Sequence, residues 1–155
     1  MIGNWKSFVV ALMICVVPLA VAAADAPSKV EVTARVKAAV AYYKANGREK
    51  ALAELNKKDG QFASGEDYVD VHDVNGVCVA HPVTPALVGV NRLEQTDPNG
   101  KFVYKDMIAA SKAKPSGWIE YMRKNPMDGK IEKKVAYWEL NDGLIFKAGT
   151  YEAGK

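Results

Sequence analysis

Two histidines lie close together in Asp67-Tyr-Val-Asp-Val-His-Asp-Val-Asn-Gly-Val-Cys-Val-Ala-His-Pro82. His72 and His81, with Asp70 and Asp73, are donor types that bind metals. They lack the compact His-x₃-His type of spacing that brings two ligands together, so no metal is expected. Cys78 beside a histidine and carboxylates is the residue set of nucleophilic chemistry. Alternation along the strand sends Cys78 and His81 to opposite faces. The chain also has no Gly-x-Ser-x-Gly elbow and no Gly-rich phosphate loop. No catalytic residue and no cofactor is expected. Recognition remains: a neutral imidazole donates one N–H and a protonated one donates two. A polar ring at the mouth of an apolar strand is a small-molecule contact or an ordinary strand end, and the residue types leave both open.

The elements that must hold these residues are legible. Tyr68, Val69 and Val71, then Val77 and Val79, read as two strands. Asn75-Gly76 between them reads as a type I′ turn, with positive φ at both residues. Pro82 ends the second strand because it has no N–H for the ladder. Tyr68, Asp70 and His72 are expected on one face, and Val77, Val79 and His81 on one face. Upstream, Ser28-Lys-Val-Glu31 fits a capping box. Val32, Val36, Ala39, Val40 and Tyr43 then recur at helical spacing, and Gly47 stops that helix. A second helix is expected from Arg48 to Asn56, a helical turn over Pro85–Val88 and a third helix over Phe102–Lys112. Strands are expected over Trp118–Arg123, Ile131–Leu140 and Leu144–Tyr151, with Asn141-Asp142-Gly143 as the last turn. Hairpin-linked strands give an antiparallel sheet, and helices before and within it give α+β.

The chain has 155 residues, 49% of them apolar, and a net charge of +3. That is one folded domain and too little positive charge for nucleic acid. Lys6, the apolar run Phe8–Val21 and Val21-Ala-Ala-Ala24 have the order of a secretory signal peptide. Residues 1–24 are therefore expected to be removed, leaving 25–155 as one periplasmic or secreted domain of net charge +2 with no stable membrane insertion. No second apolar run long enough to span a membrane follows. Of the two cysteines, Cys15 leaves with the signal. Cys78 remains as an expected small buried hydrophobe.

Gly47-Arg-Glu-Lys-Ala-Leu-Ala-Glu-Leu-Asn56, Gly60-Gln-Phe62, Asp67-Tyr-Val and Val79-Ala-His-Pro82 together resemble a single Cache domain of the sCache_2 type. Gly117-Trp-Ile-Glu-Tyr121, Lys134-Val-Ala-Tyr137 and Ala148-Gly-Thr-Tyr151 extend the resemblance over roughly residues 30–152. It implies a PAS-like five-stranded antiparallel sheet with a long N-terminal helix packed behind it. It also implies an extracytoplasmic pocket for a short carboxylate, here in a freestanding periplasmic form that works with a membrane receptor or kinase. The positions implied for that pocket are Tyr68, His81, Trp118, Tyr121, Lys134 and Tyr137. Lys134 would give a carboxylate a charge-assisted hydrogen bond, and the tyrosines would donate O–H groups while walling an apolar tail. If the His81 imidazolium contacts the anion, affinity rises as pH falls through about 6.5. Regular strands put Trp118 and Tyr121 on opposite faces, and likewise Lys134 and Tyr137. Either a bulge intervenes or one of each pair is structural. The rival readings are an interaction protein with a vestigial pocket and a small periplasmic enzyme.

The exported protein is expected to begin at Ala24 or Asp25. Intact-mass measurement of the periplasmic product checks this, and a full-length chain retained in the membrane would contradict it.

Overall fold

The computed structural model describes residues 26–126 and 128–152; the expected signal segment lies outside them. Three α-helices are present: α1 (Lys29–Asn46), α2 (Arg48–Leu55) and α3 (Val103–Ser111). The strands are β1 (Ala63–Ser64), β2 (Asp67–Tyr68), β3 (Asp70–Asp73), β4 (Cys78–Ala80), β5 (Ser116–Lys124), β6 (Ile131–Asn141) and β7 (Leu144–Tyr151). Five of them form an antiparallel sheet in the order β4-β3-β7-β6-β5, and β1 and β2 form a small ribbon beside it. This is the α+β architecture expected from the sequence. Among the described residues no helix is long and apolar enough to cross a membrane.

The capping box at the start of α1 forms as read. Ser28 Oγ accepts from the Glu31 N–H, and Glu31 Oε2 accepts from the Ser28 N–H at 2.8 Å. The buried stripe of α1 is Val32, Val36, Ala39, Val40 and Tyr43. It packs with α2 on one face of the sheet, against Val71, Tyr137, Leu144, Phe146 and Ala148. The Tyr43 hydroxyl donates to Asp142 Oδ2 at 2.6 Å and ties α1 to the β6–β7 turn. At the end of α2, the Asn56 side-chain oxygen accepts from the His81 N–H at 3.0 Å and joins that helix to β4. The other face carries Ile119, Tyr121, Ala136, Trp138 and Ile145, covered by α3 through Tyr104, Met107 and Ile108.

Three expectations need correction. Asn75-Gly76 is not a type I′ turn, because only Gly76 has positive φ (85°). The Asp73 carboxylate accepts from the N–H groups of Asn75 (2.9 Å) and Val77 (2.8 Å), which holds a longer loop. The two-residue turn with both φ positive lies instead at Asp142 (51°) and Gly143 (68°). The first strand is divided: Asp67-Tyr68 pairs with β1, and pairing to the main sheet resumes at Asp70. Finally, Val71 opposes Ala80 while His72 opposes Cys78, so β4 bulges at Val79. The bulge turns Val79 toward the α1-side core and leaves Cys78 on the His72 face, so Val79 and His81 do not share a face and Cys78 and His81 do not lie on opposite ones, contrary to strict alternation. Cys78 is fully buried, as expected, and burial pushes its thiol up to about 11.

Gly149 in β7 pairs with Ala136 in β6. A Cβ there would meet Ala136 Cβ at 2.9 Å, the Val135 carbonyl oxygen at 2.9 Å and Lys134 Cε at 3.1 Å. The backbone oxygen has little freedom to move. Gly149→Ala is expected to destabilise the domain by about 1–3 kcal/mol, read as a lower urea midpoint. An unchanged midpoint would mean that β6 and β7 yield more easily than this packing implies.

Candidate functional site

Regular pairing of β5 with β6 settles the alternation question without a bulge. Trp118 and Tyr137 point to the α1 side, with ring centroids 5.4 Å apart. Trp118 is 40% exposed there, with the Lys29 ammonium 5.8 Å from its ring. Tyr121 and Lys134 are cross-strand neighbours on the α3 side. Of the six positions implied by resemblance, Tyr68, His81, Tyr121 and Lys134 therefore share a face, and Trp118 and Tyr137 belong to the opposite one. The Tyr68 and His81 rings lie 5.0 Å apart.

Charged side chains, most of them buried, crowd the α3 face. Asp70 on β3 and Lys147 on β7 are cross-strand partners, with Nζ to Oδ1 at 2.9 Å. Burial alone would push Asp70 up and Lys147 down. Each charge outweighs that for the other, so the carboxyl sits well below its ordinary range and the ammonium well above. His72 Nδ1 is 3.2 Å from Asp70 Oδ2, yet neither ring nitrogen reaches hydrogen-bond geometry. Burial holds His72 below its ordinary value despite Asp70. The Tyr121 hydroxyl is 3.4 Å from Lys147 Nζ.

His81 accepts the Thr84 N–H on Nδ1 at 3.0 Å, so its proton is assigned to Nε2. Burial, aided by Lys147, Arg123 and Arg92, lowers His81 to about 4. An imidazolium titrating near 6.5 is not what this pocket holds; the ring stays neutral there. Lys134 is buried, with Nζ over the rings of Tyr151 (4.5 Å) and Tyr68 (5.5 Å). Among the described residues no carboxylate pairs with it. Burial, with Lys147 and Arg123 nearby, lowers it to about 7.

A cavity of about 190 Å³ opens between this face and the segment leading into α3. Arg92, Tyr104, Tyr121 and Arg123 line it, with Asp97 at its side. Arg92 lies over the Tyr104 ring at 4.4 Å and donates from Nε to Gln95 at 2.6 Å, but its buried Nη1 has no partner. The segment is fastened to edge strand β5: Asp97 Oδ2 accepts the Met122 N–H at 2.8 Å, and Lys101 Nζ donates to the Glu120 carbonyl at 2.7 Å. Among the described residues no group of three or more His, Cys, Asp or Glu side chains is placed to hold a metal ion. The arrangement suits an anion with a short apolar body: guanidinium donors and phenol rings, with Val103, Pro98 and Met122 as apolar wall and the Asp97 carboxylate already taken up by backbone N–H groups.

Of the six positions only Tyr121 lines the cavity; sequence reasoning missed Arg92, Tyr104 and Arg123 there, and Lys147 on the face beside it. Two signals were available. Lys147 interrupts an otherwise apolar strand, and Arg123 follows Tyr121 by one strand period. Arg92 sits in a loop, where no periodicity marks it.

Comparison with known proteins agrees with this picture. The family model "Single Cache domain 2" matches residues 24–143. A sensor histidine kinase, MctS of Rhizobium johnstonii, is 33% identical over 87 residues, which is 56% of this chain and 19% of the kinase. The chain thus spans about a fifth of that relative's length. A solved Cache chemosensory domain, described for its carboxylic acid recognition, is 26% identical with a TM-score of 0.60, covering 77% of this chain and 85% of that one. A methyl-accepting chemotaxis protein from Vibrio parahaemolyticus is 25% identical with a TM-score of 0.66, covering 79% and 87%. The first of these structures is a chemosensory domain, the second belongs to a chemotaxis protein, and the curated relative is a sensor kinase.

Lys134 makes a stability prediction with a definite sign. Its ordinary value is 10.5 and its folded value about 7, so between those pH values the unfolded chain holds a proton that the folded one has released. Stability is expected to rise with pH through that window. His81, lowered from 6.5 to about 4, acts in the same sense at lower pH. Lys134→Met is expected to abolish the alkaline rise, leave the acid one and stabilise the ligand-free protein below pH 7 by on the order of 3 kcal/mol. Urea unfolding at pH 5, 7 and 9 measures it. A variant less stable than wild type at pH 6 would show that Lys134 has a partner in the fold.

Proposed function

The chain belongs to the single Cache domain 2 family, and from that premise we propose that it is an extracytoplasmic sensor module whose charged cavity captures a short organic acid. One observation carries the reading: the unpartnered, buried Nη1 of Arg92 beside a cavity that Tyr121 and Arg123 also line. A buried donor without an acceptor is costly, and a carboxylate supplies the acceptor and the charge. At about 190 Å³ the cavity is smaller than the ~300 Å³ at which drug-sized sites begin. Lys134 and His81 stand on the same face as Tyr121 but outside the cavity lining, where they would contribute an ammonium and a neutral N–H donor to its surroundings. The carboxylic acid recognition of the related Cache domain supports the same class.

The MctS match supports a histidine kinase or chemoreceptor as the output partner, outside the residues described. Residues 1–24 would deliver the domain to the periplasm.

Ligand size limits affinity. About five heavy atoms gain at most ~7.5 kcal/mol, a Kd no tighter than a few micromolar. At a thousandfold excess, linkage adds about 4 kcal/mol to stability, which a thermal melt detects. Acetate, propionate, lactate, pyruvate and malate at about 10 mM are the panel, and at least one is expected to raise Tm. Arg92→Gln is expected to cancel that rise. A panel that leaves Tm unmoved would defeat the carboxylate reading and favour a vestigial pocket.

A further inference from the structure

We propose that the site selects a dianion, a dicarboxylate of about four carbons, over a monoanion of the same length. The proposal rests on the carboxylate reading above and goes beyond it in naming the charge of the ligand.

The charges on the α3 face decide it. Lys147 and Asp70 neutralise each other at 2.9 Å. Arg92 has no carboxylate partner, and its Nη1 is buried without any acceptor. Arg123 lines the same cavity. Lys134 has tyrosine rings about its ammonium and no ion pair among the described residues, with the Glu66 and Asp70 charges acting on it only from further off. The one carboxylate lining the cavity is Asp97. Its Oδ1 already accepts the N–H groups of Asn99 and Lys101, and its Oδ2 that of Met122. Lys124 at the rim matches its charge. At the cavity itself, two guanidinium groups, Arg92 and Arg123, therefore face one carboxylate that is already engaged.

A single carboxylate leaves at least one of these cations unanswered. A buried charge without a partner is among the costlier features a protein carries. A second carboxylate removes that cost, and a neutral group in its place does not. Selectivity then comes from the penalty on the wrong ligand as much as from contacts to the right one. Tyr121 joins the two ends. It lines the cavity beside Arg92 and Arg123 and is the cross-strand neighbour of Lys134. An acid lying along that ring would meet Arg92 with one carboxylate and Arg123 with the other, and Lys134, outside the cavity lining, would add its charge from the neighbouring strand.

Isothermal titration of the exported chain with succinate, its half-amide succinamate, and butyrate tests the proposal. The three ligands share a four-carbon frame and differ in the second terminal group. Succinate is expected to bind at least about tenfold more tightly than either monoanion, because the second carboxylate makes charge-assisted contacts. In Arg92→Gln the ratio is expected to fall to within about threefold, and Arg92→Lys should retain more of it. Succinamate or butyrate binding as tightly as succinate would overturn dianion selectivity while leaving the carboxylate reading intact. Silence from all three, with no response to any acid of the acetate-to-malate panel, would overturn both. The wild-type comparison decides the matter even if a variant fails to fold.

Discussion

Asp70 and Lys147 form the interaction on which the rest of the structure depends. They are cross-strand partners in the middle of the sheet, both buried, 2.9 Å apart. A pair so placed gains little net stability, because desolvating both charges offsets most of their attraction. Losing one partner is another matter, since it leaves a naked charge in the core. The pair therefore constrains which residues of β3 and β7 can face each other. It also neutralises one cation on the face beside the cavity, while Arg92, Arg123 and Lys134 have no ion pair among the described residues.

The sheet separates two kinds of chemistry. On the α1 side its residues are apolar, and two helices bury them. On the α3 side an apolar strip formed by Ile119, Ala136, Trp138 and Ile145 lies among charged and phenolic groups. A nine-residue helix and a loop cover that side. The loop is fastened by the Asp97 carboxylate and Lys101 to the backbone of the edge strand β5. Those contacts also satisfy polar groups that an edge strand would otherwise expose. The apolar half carries the fold, and the polar half holds the cavity and its charges.

The polar face has a stability cost. A lysine lowered to about 7 and a histidine lowered to about 4 are groups the fold disfavours in their charged forms. Apolar residues of similar size would pack there with less penalty. Such sites recur where function requires an incoming group to complete the structure. For a sensor domain that is a useful property. The ligand-free state is poorly satisfied, so binding changes its free energy, and the change is available to whatever the domain is coupled to.

Local sequence determined the elements. The Ser28 capping box, the α1 stripe from Val32 to Tyr43 and the long strands β5 to β7 follow from patterns within a few residues. The motifs that identify the family follow similarly. Alternation also stated the right dilemma for Trp118 against Tyr121 and for Tyr137 against Lys134. Only the tertiary structure decided which member of each pair faces the charged side, because a strand pattern does not say which face a covering helix will take. The bulge at Val79 was equally hidden, since it depends on how β3 and β4 pair. Arg92 is the clearest case. It comes from a loop with no period, and its role arises where Tyr104, Gln95 and the cavity meet around it. Periodicity reports what each residue does for its own element. The charge balance of the site depends on contacts between elements, and those exist only in the folded chain.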